Sequence, residues 1–100
     1  MYARVMTMQY QPGKVDEAIQ VVRGSVLPEL RQEEGFQEFT MLVDRSNHKV
    51  VGIILYQTEA HLQAAGASSS HPTLQARAAR VSSILAAAPL VETYEVAIHE

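Results

Sequence analysis

The chain has 100 residues, 47% of them hydrophobic, with 11 acidic and 8 basic side chains giving a formal charge of −3. This length suits one domain over residues 1–100, small enough that oligomerisation would add to its stability, and its scattered charges form no footprint for nucleic acid or an anionic membrane. With no cysteine, disulfides, thiolate nucleophiles and cysteine-based metal sites are excluded.

Residues 2–10 alternate as a strand, with Ala3, Val5 and Thr7 on one face and Arg4, Met6 and Met8 on the other. The same stretch lacks the charged and continuous apolar segments of a secretory leader, and no apolar run is long enough for a bilayer, so a cytoplasmic protein is the expectation. After "QPGK", Val15, Ala18, Ile19, Val22, Val26 and Leu30 recur at helical spacing in one stripe. Pro28 removes one intrahelical hydrogen bond and Gly35 supplies a stop, which predicts a helix ending near Glu34. "FQEFTMLVD" and "KVVGIILYQ" are β-branched, aromatic and apolar, and the polar "RSNH" between them predicts an antiparallel hairpin. "TEAHLQAAGA" reads as a short helix capped by Thr58. Gly66 and "SSSHP" separate it from a longer helix that buries Leu74, Ala78, Val81, Ile84, Leu85 and Ala88 and stops at Pro89. "LVETYEVAIH" then predicts a fourth strand.

The resulting order, βαββαβ, is the α+β ferredoxin-like plan, an antiparallel four-stranded sheet with its helices on one face. Phe39, Met41, Val43, Val51, Ile53, Leu55, Val96 and Ile98 are expected to meet the helices, leaving Met6, Met8, Leu42, Val50, Ile54 and Ala97 on the opposite face. That second face is too apolar to stay wet, so a homodimer through the sheets is expected. A charge at Ile54 is expected to disrupt it.

"PGKVDEAIQVV" followed by "LPELRQEEGFQEFTMLVDRSNHKVVGIILYQTEAHLQA" resembles the antibiotic biosynthesis monooxygenase domain of the dimeric α+β barrel superfamily, and the resemblance extends over residues 2–98. It implies a dimeric barrel whose members include cofactor-free quinone-forming monooxygenases, haem-degrading enzymes and proteins of unassigned role. Where those enzymes close the third strand with tryptophan, this chain has Tyr56; four residues earlier Gly52 replaces an asparagine; and a histidine of the following helix falls at Ala65. The haem-degrading set is therefore not reproduced. What the resemblance implies is a monooxygenase that needs no cofactor and acts on a small aromatic or phenolic substrate; the alternative is a non-catalytic dimeric barrel that binds a small ligand.

Tyr56 could stack on such a substrate and hydrogen-bond it, or could be a strand-end tyrosine with an apolar body and a wet tip. At about 100° per residue, Arg77 leans toward the Val81 and Ile84 side of its helix, where a fixed cation could stabilise an enolate or phenolate; the other reading is an arginine snorkelling at the edge of the stripe. Met6 and Met8 could line a pliable substrate pocket or fill gaps in a core or dimer contact. His71 could stand at a pocket mouth or merely in a helix entry turn, while His48 is expected to be solvated in the hairpin. None of His48, His61, His71 and His99 makes an i, i+4 pair with another, so no metal site is expected.

Overall fold

A computed structural model describes residues 1–67 and 82–100. Strand β1 is Tyr2–Gln9, followed by a helical stretch comprising α1 (Val15–Val21), a π-helical segment (Val22–Val26) and α2 (Leu27–Leu30). Then come β2 (Phe36–Asp44), β3 (Lys49–Tyr56), α3 (Glu59–Ala67), a 3-10 turn (Ser82–Ile84) and β4 (Leu90–Glu95). The strands form one antiparallel sheet in the order β2-β3-β1-β4. Helices pack on one of its sides, giving the expected α+β ferredoxin-like fold.

The stripe read from the sequence is the buried stripe. Val15, Ala18, Val22, Val26 and Leu30 are buried, with Ile19 packed beside them. The helical stretch ends at Leu30, four residues before the expected Glu34. Pro28 has no N–H to donate, and immediately before it the Leu27 N–H bonds the Val22 carbonyl, five residues back, so the ladder widens into the π segment. Beyond Leu30 the chain tightens, as Gln32 N–H bonds the Glu29 carbonyl at 3.1 Å and Glu33 N–H the Leu30 carbonyl at 3.1 Å. Gly35, at φ 81°, turns the chain into β2, and any Cβ there would collide with the His61 ring.

Strand register corrects the expected faces. Ile54 lies opposite both Arg4 and Phe39, Gly52 opposite Met6 and Met41, and Val50 opposite Met8 and Val43. Arg4, Met6, Met8, Phe39, Met41, Val43, Val50 and Ile54 therefore share the helix side. Val51, Ile53 and Leu55 point away with Leu42. The expected faces hold for β2 and are inverted for β1 and β3, because side chains alternate with period two and a one-residue error in relative register exchanges the faces of a whole strand. Val50 and Ile54 are fully buried and Met8 is 9% exposed, so they are core residues, not a dimer surface. A bulge at Gln37 moves the register from Phe36 opposite Tyr56 to Glu38 opposite Leu55, which brings Phe36 onto the core side.

The segment from Ser82 onward also departs from expectation. Leu74, Ala78 and Val81 lie outside the described residues, but the expected helix does not continue to Pro89. Leu85 bridges Tyr10, Ala86 N–H bonds the Gln9 carbonyl at 2.7 Å, and Gln11 N–H bonds the Ile84 carbonyl at 2.9 Å. The backbone beyond β1 thus captures this segment, and Ile84 seals the core around Met8, Tyr10 and Val50. β4 ends at Glu95; Val96 N–H bonds the Met1 carbonyl at 2.9 Å, and His99 Nε2 comes within 3.3 Å of the Glu38 carboxylate on the far edge strand. The last residues therefore cross this end of the sheet on the Leu55 side, where Ala3 and Leu55 are buried, instead of extending β4 toward the helices. Ile98, expected against the helices, is 84% exposed.

This packing changes the outcome of the Ile54 substitution. Ile54→Ala should cost about 2–5 kcal/mol in urea unfolding, as a buried truncation does, and Ile54→Asp should abolish the cooperative transition instead of yielding a folded monomer. A folded, monomeric Ile54→Asp protein would return that side chain to an association surface.

Candidate functional site

The helix side carries charge at one end. Tyr56 closes β3 with its ring in the cluster of Val22, Val26, Leu30, Ile54, Leu62 and Ala65, and it is 0% exposed. Its hydroxyl donates to Glu33 Oε1 at 2.7 Å. Glu33, in the tight turn after α2, is itself only 4% exposed. Arg4 reaches the same region from β1: Nη2 donates to the Leu62 carbonyl of α3 at 2.8 Å, and its guanidinium carbon lies 5.8 Å from the Tyr56 ring centroid, within cation–π range. At 4% exposure, Arg4 is a cation inside an apolar layer.

The local sequence explains each placement. Alternation along β1 puts Arg4 on the face of Met6 and Met8, and the β1–β3 register brings that face to Tyr56. Gly35 reverses the chain so that Glu33 turns inward, and the Gln57 N–H bonds the Gly35 carbonyl at 2.8 Å, pinning this turn to the end of β3. Thr58 caps α3 as expected: its Oγ1 accepts the His61 N–H at 3.1 Å and lies 2.9 Å from His61 Nδ1. With α3 fixed at that end, the Leu62 carbonyl is set above Arg4.

Of the residues singled out from the sequence, the structure brings Tyr56 and Met6 together, Met6 packing against both apolar clusters. Met8 belongs to the neighbouring cluster, where it takes a contact from the Tyr10 hydroxyl at 3.4 Å from its sulfur. Burial raises the Tyr10 hydroxyl above the usual tyrosine range. Gly52 lies between Met6 and Phe39; a Cβ there would sit 3.6 Å from Phe39 and 3.8 Å from Met6, ordinary contacts, so these two side chains close over the glycine with room for no more than a methyl group. Arg77 and His71 lie outside the described residues. His48, expected to be solvated, is only half-exposed and holds φ 53° in the hairpin. Among the described residues no three histidine, aspartate or glutamate side chains gather as a metal would need.

Arg4 and Glu33 were missed. For Arg4 the signal was present, a lone cation alternating with Met6 and Met8. For Glu33 there was none, because "RQEEG" offers two adjacent glutamates and only the turn decides which one faces inward.

The comparisons bear on what this arrangement belongs to. The family described as "Antibiotic biosynthesis monooxygenase" matches residues 1–77. The chain belongs to the antibiotic biosynthesis monooxygenase family. Solved structures of similar fold include the monooxygenase of the ActVA-Orf6 gene of Streptomyces coelicolor, in complex with nanaomycin D, at a TM-score of 0.79 and 19% identity over 99% of this chain and 91% of that one. A mutant form of SnoaB, a cofactor-independent oxygenase from Streptomyces nogalater, is similar at a TM-score of 0.77 and 14% identity over 98% of this chain and 94% of that one. The NE2512 protein of unknown function from Nitrosomonas europaea is similar at a TM-score of 0.77 and 19% identity, over 99% and 91% of the two chains. No curated protein matches by sequence. At these identities the likeness is one of fold, and proteins of that fold include both oxygenases and a protein without assigned function.

The Tyr56–Glu33 contact predicts a result that neither sequence reading of Tyr56 gave. Tyr56→Phe removes a buried hydrogen bond to a carboxylate and should lower stability by about 1.5–3 kcal/mol, whereas Tyr56→Ala should cost about 3–5 kcal/mol through loss of the ring. In a double-mutant cycle read by urea denaturation, Tyr56→Phe and Glu33→Gln should couple. Additive effects would mean that the contact contributes nothing to stability.

Proposed function

We propose that this family member is a cofactor-independent monooxygenase acting on a small aromatic or phenolic substrate, and that the reaction takes place on the helix side of the sheet beside Arg4, Tyr56 and Glu33. The observation that carries this reading is the burial of a cation and a carboxylate on either side of one tyrosine in an otherwise apolar layer. Buried charges cost free energy and are concentrated where chemistry needs them. The chemistry requires only that substrate and oxygen meet in the right protonation state. A phenolic hydroxyl donates to the Tyr56 oxygen, the Tyr56 proton passes to Glu33, and the substrate is left as an anion. That anion gives electrons to oxygen; one oxygen atom is inserted at the activated carbon and the other leaves as water, converting a CH₂ group to a carbonyl. Arg4 stabilises the anion, and the water-poor surroundings strengthen that effect. Met6 and Phe39, which meet over Gly52, supply the flat apolar wall.

A second reading is favoured by a specific observation: Tyr56 is fully buried and its hydroxyl is already engaged. On that reading the same layer holds a ligand, or only itself, and no bond is broken. Oxygen uptake with anthrone-type phenols, with haem as a separate control, distinguishes the two. Uptake of one oxygen per quinone formed, falling about 10²- to 10³-fold in Arg4→Met as the loss of one charge-stabilising group does, supports the monooxygenase. Binding of the phenol without uptake selects the second reading.

We also propose that the protein forms a homodimer through the sheet face opposite the helices. With the register corrected, this face carries Val5, Val51 and Ile53 at its centre and the exposed Leu42 and Leu90 toward its edges. No second layer covers that centre among the described residues, and a standard interface buries about 800 Å² per partner. Ile53→Asp should leave the protomer folded and yield a monomer in light scattering, because the charge reaches water in the monomer but not in the dimer. An unaltered protein that is monomeric at micromolar concentration would refute the sheet-mediated pair.

A further inference from the structure

At the end of the molecule where β1 meets β4, the first turns of α3 and the sheet edge enclose a half-open cleft of about 300 Å³. Its floor is Leu62 and its walls carry Tyr2, Glu59, Thr93 and Glu95; none of its described lining residues is basic. Glu95 is the cross-strand partner of Tyr2, and Glu59 opens α3 above it, so two carboxylates flank one phenol in a concave place. The negative charge there is felt by Tyr2, whose hydroxyl is raised above the usual tyrosine range first by the charge of Glu59, then by desolvation and by Glu95, with a hydrogen bond to Glu59 adding to the effect.

We propose that this cleft is a binding site for a small organic ammonium ion bearing an aromatic ring, its charge set between Glu59 and Glu95 and its ring against Leu62 and Tyr2. The volume fits a single-ring ligand, standing at the lower end of the range of small-molecule pockets. A bare divalent cation fits less well, since such ions take six or more oxygen ligands and no three acidic or histidine side chains gather among the described residues. An organic cation uses both features of the lining, the carboxylates for its ammonium group and the Tyr2 ring and Leu62 for its body. An anion is repelled and a neutral analogue gains only the apolar contact. The groups that would hold this ligand, Glu59, Glu95, Tyr2 and Leu62, are not those proposed to act beside Tyr56, so this site does not depend on that reaction.

Calorimetric titration of the full chain at low salt with phenylethylammonium, neutral 2-phenylethanol and the anion 3-phenylpropanoate tests the assignment. The ammonium ion should bind about tenfold more tightly than the alcohol, two partly screened charge contacts supplying the difference, and the anion should not bind. Added salt should reduce the preference. Both carboxylates are exposed, so Glu59→Gln/Glu95→Gln should fold and should bring the ammonium ion down to the affinity of the alcohol, while Glu17→Gln, an exposed acid on α1, changes nothing. Equal affinity for the three ligands, no binding of phenylethylammonium at millimolar concentration, or a preference that survives in the double variant overturns the proposal. The three-ligand comparison on the unaltered protein stands whether or not the variant folds.

Discussion

The antiparallel pairing of β1 with β3 is the constraint on which the rest of this structure depends. With Tyr2 opposite Tyr56 and Met8 opposite Val50, the polar and sulfur-bearing side of β1 is committed to the helices, and Ala3, Val5 and Thr7 to the other face. Helix stripe, candidate site and association surface all follow from that one alignment. A slip of a single residue would expose Ile54 and Tyr56 and bury their neighbours, which is why the alignment is so strongly specified wherever one face must be dry.

The same pairing creates the fold's main internal tension. Arg4 comes to the core side together with Met6 and Met8, and the turn around Gly35 brings Glu33 to the same end. Taking two ionised groups out of water is expensive, and an apolar pair of similar volume would often be at least as stable. The structure offsets part of that cost with the Leu62 carbonyl, the Tyr56 ring and the Tyr56 hydroxyl. The reaction proposed above would account for what stability alone does not explain, since a carboxylate, a phenol and a cation in water-poor surroundings are the groups that proton removal and anion stabilisation use.

The surface divides into regions of different character. The outer sheet face is apolar at its centre, and the chain's own last residues cross it only at the Tyr56 end, as the His99 approach to Glu38 shows. The α3–β4 cleft is anionic and aromatic. Association through the first and ligand capture in the second draw on separate residues of β1, because successive side chains of a strand point to opposite sides.

Local chemistry determined much of this protein from the sequence alone. Helical spacing from Val15 to Leu30, the polar "RSNH" between two β-rich runs and the cap at Thr58 depend on neighbours within a few residues, and each stands where it was read, whereas the helix stops at Leu30, ahead of the Gly35 turn. The quoted resemblance likewise pointed to the family that the match over residues 1–77 establishes. Only the tertiary structure decided which face of β1 and β3 is buried, because both strands are apolar on both sides and nothing local fixes their relative register. It also decided that Glu33 rather than Glu34 turns inward to Tyr56, that the backbone beyond β1 captures Leu85 and Ala86, and that the chain leaves β4 to reach Glu38. Each of these joins residues far apart in the chain or selects between near-equivalent neighbours, so the deciding energy lies in contacts that exist only once the sheet has formed.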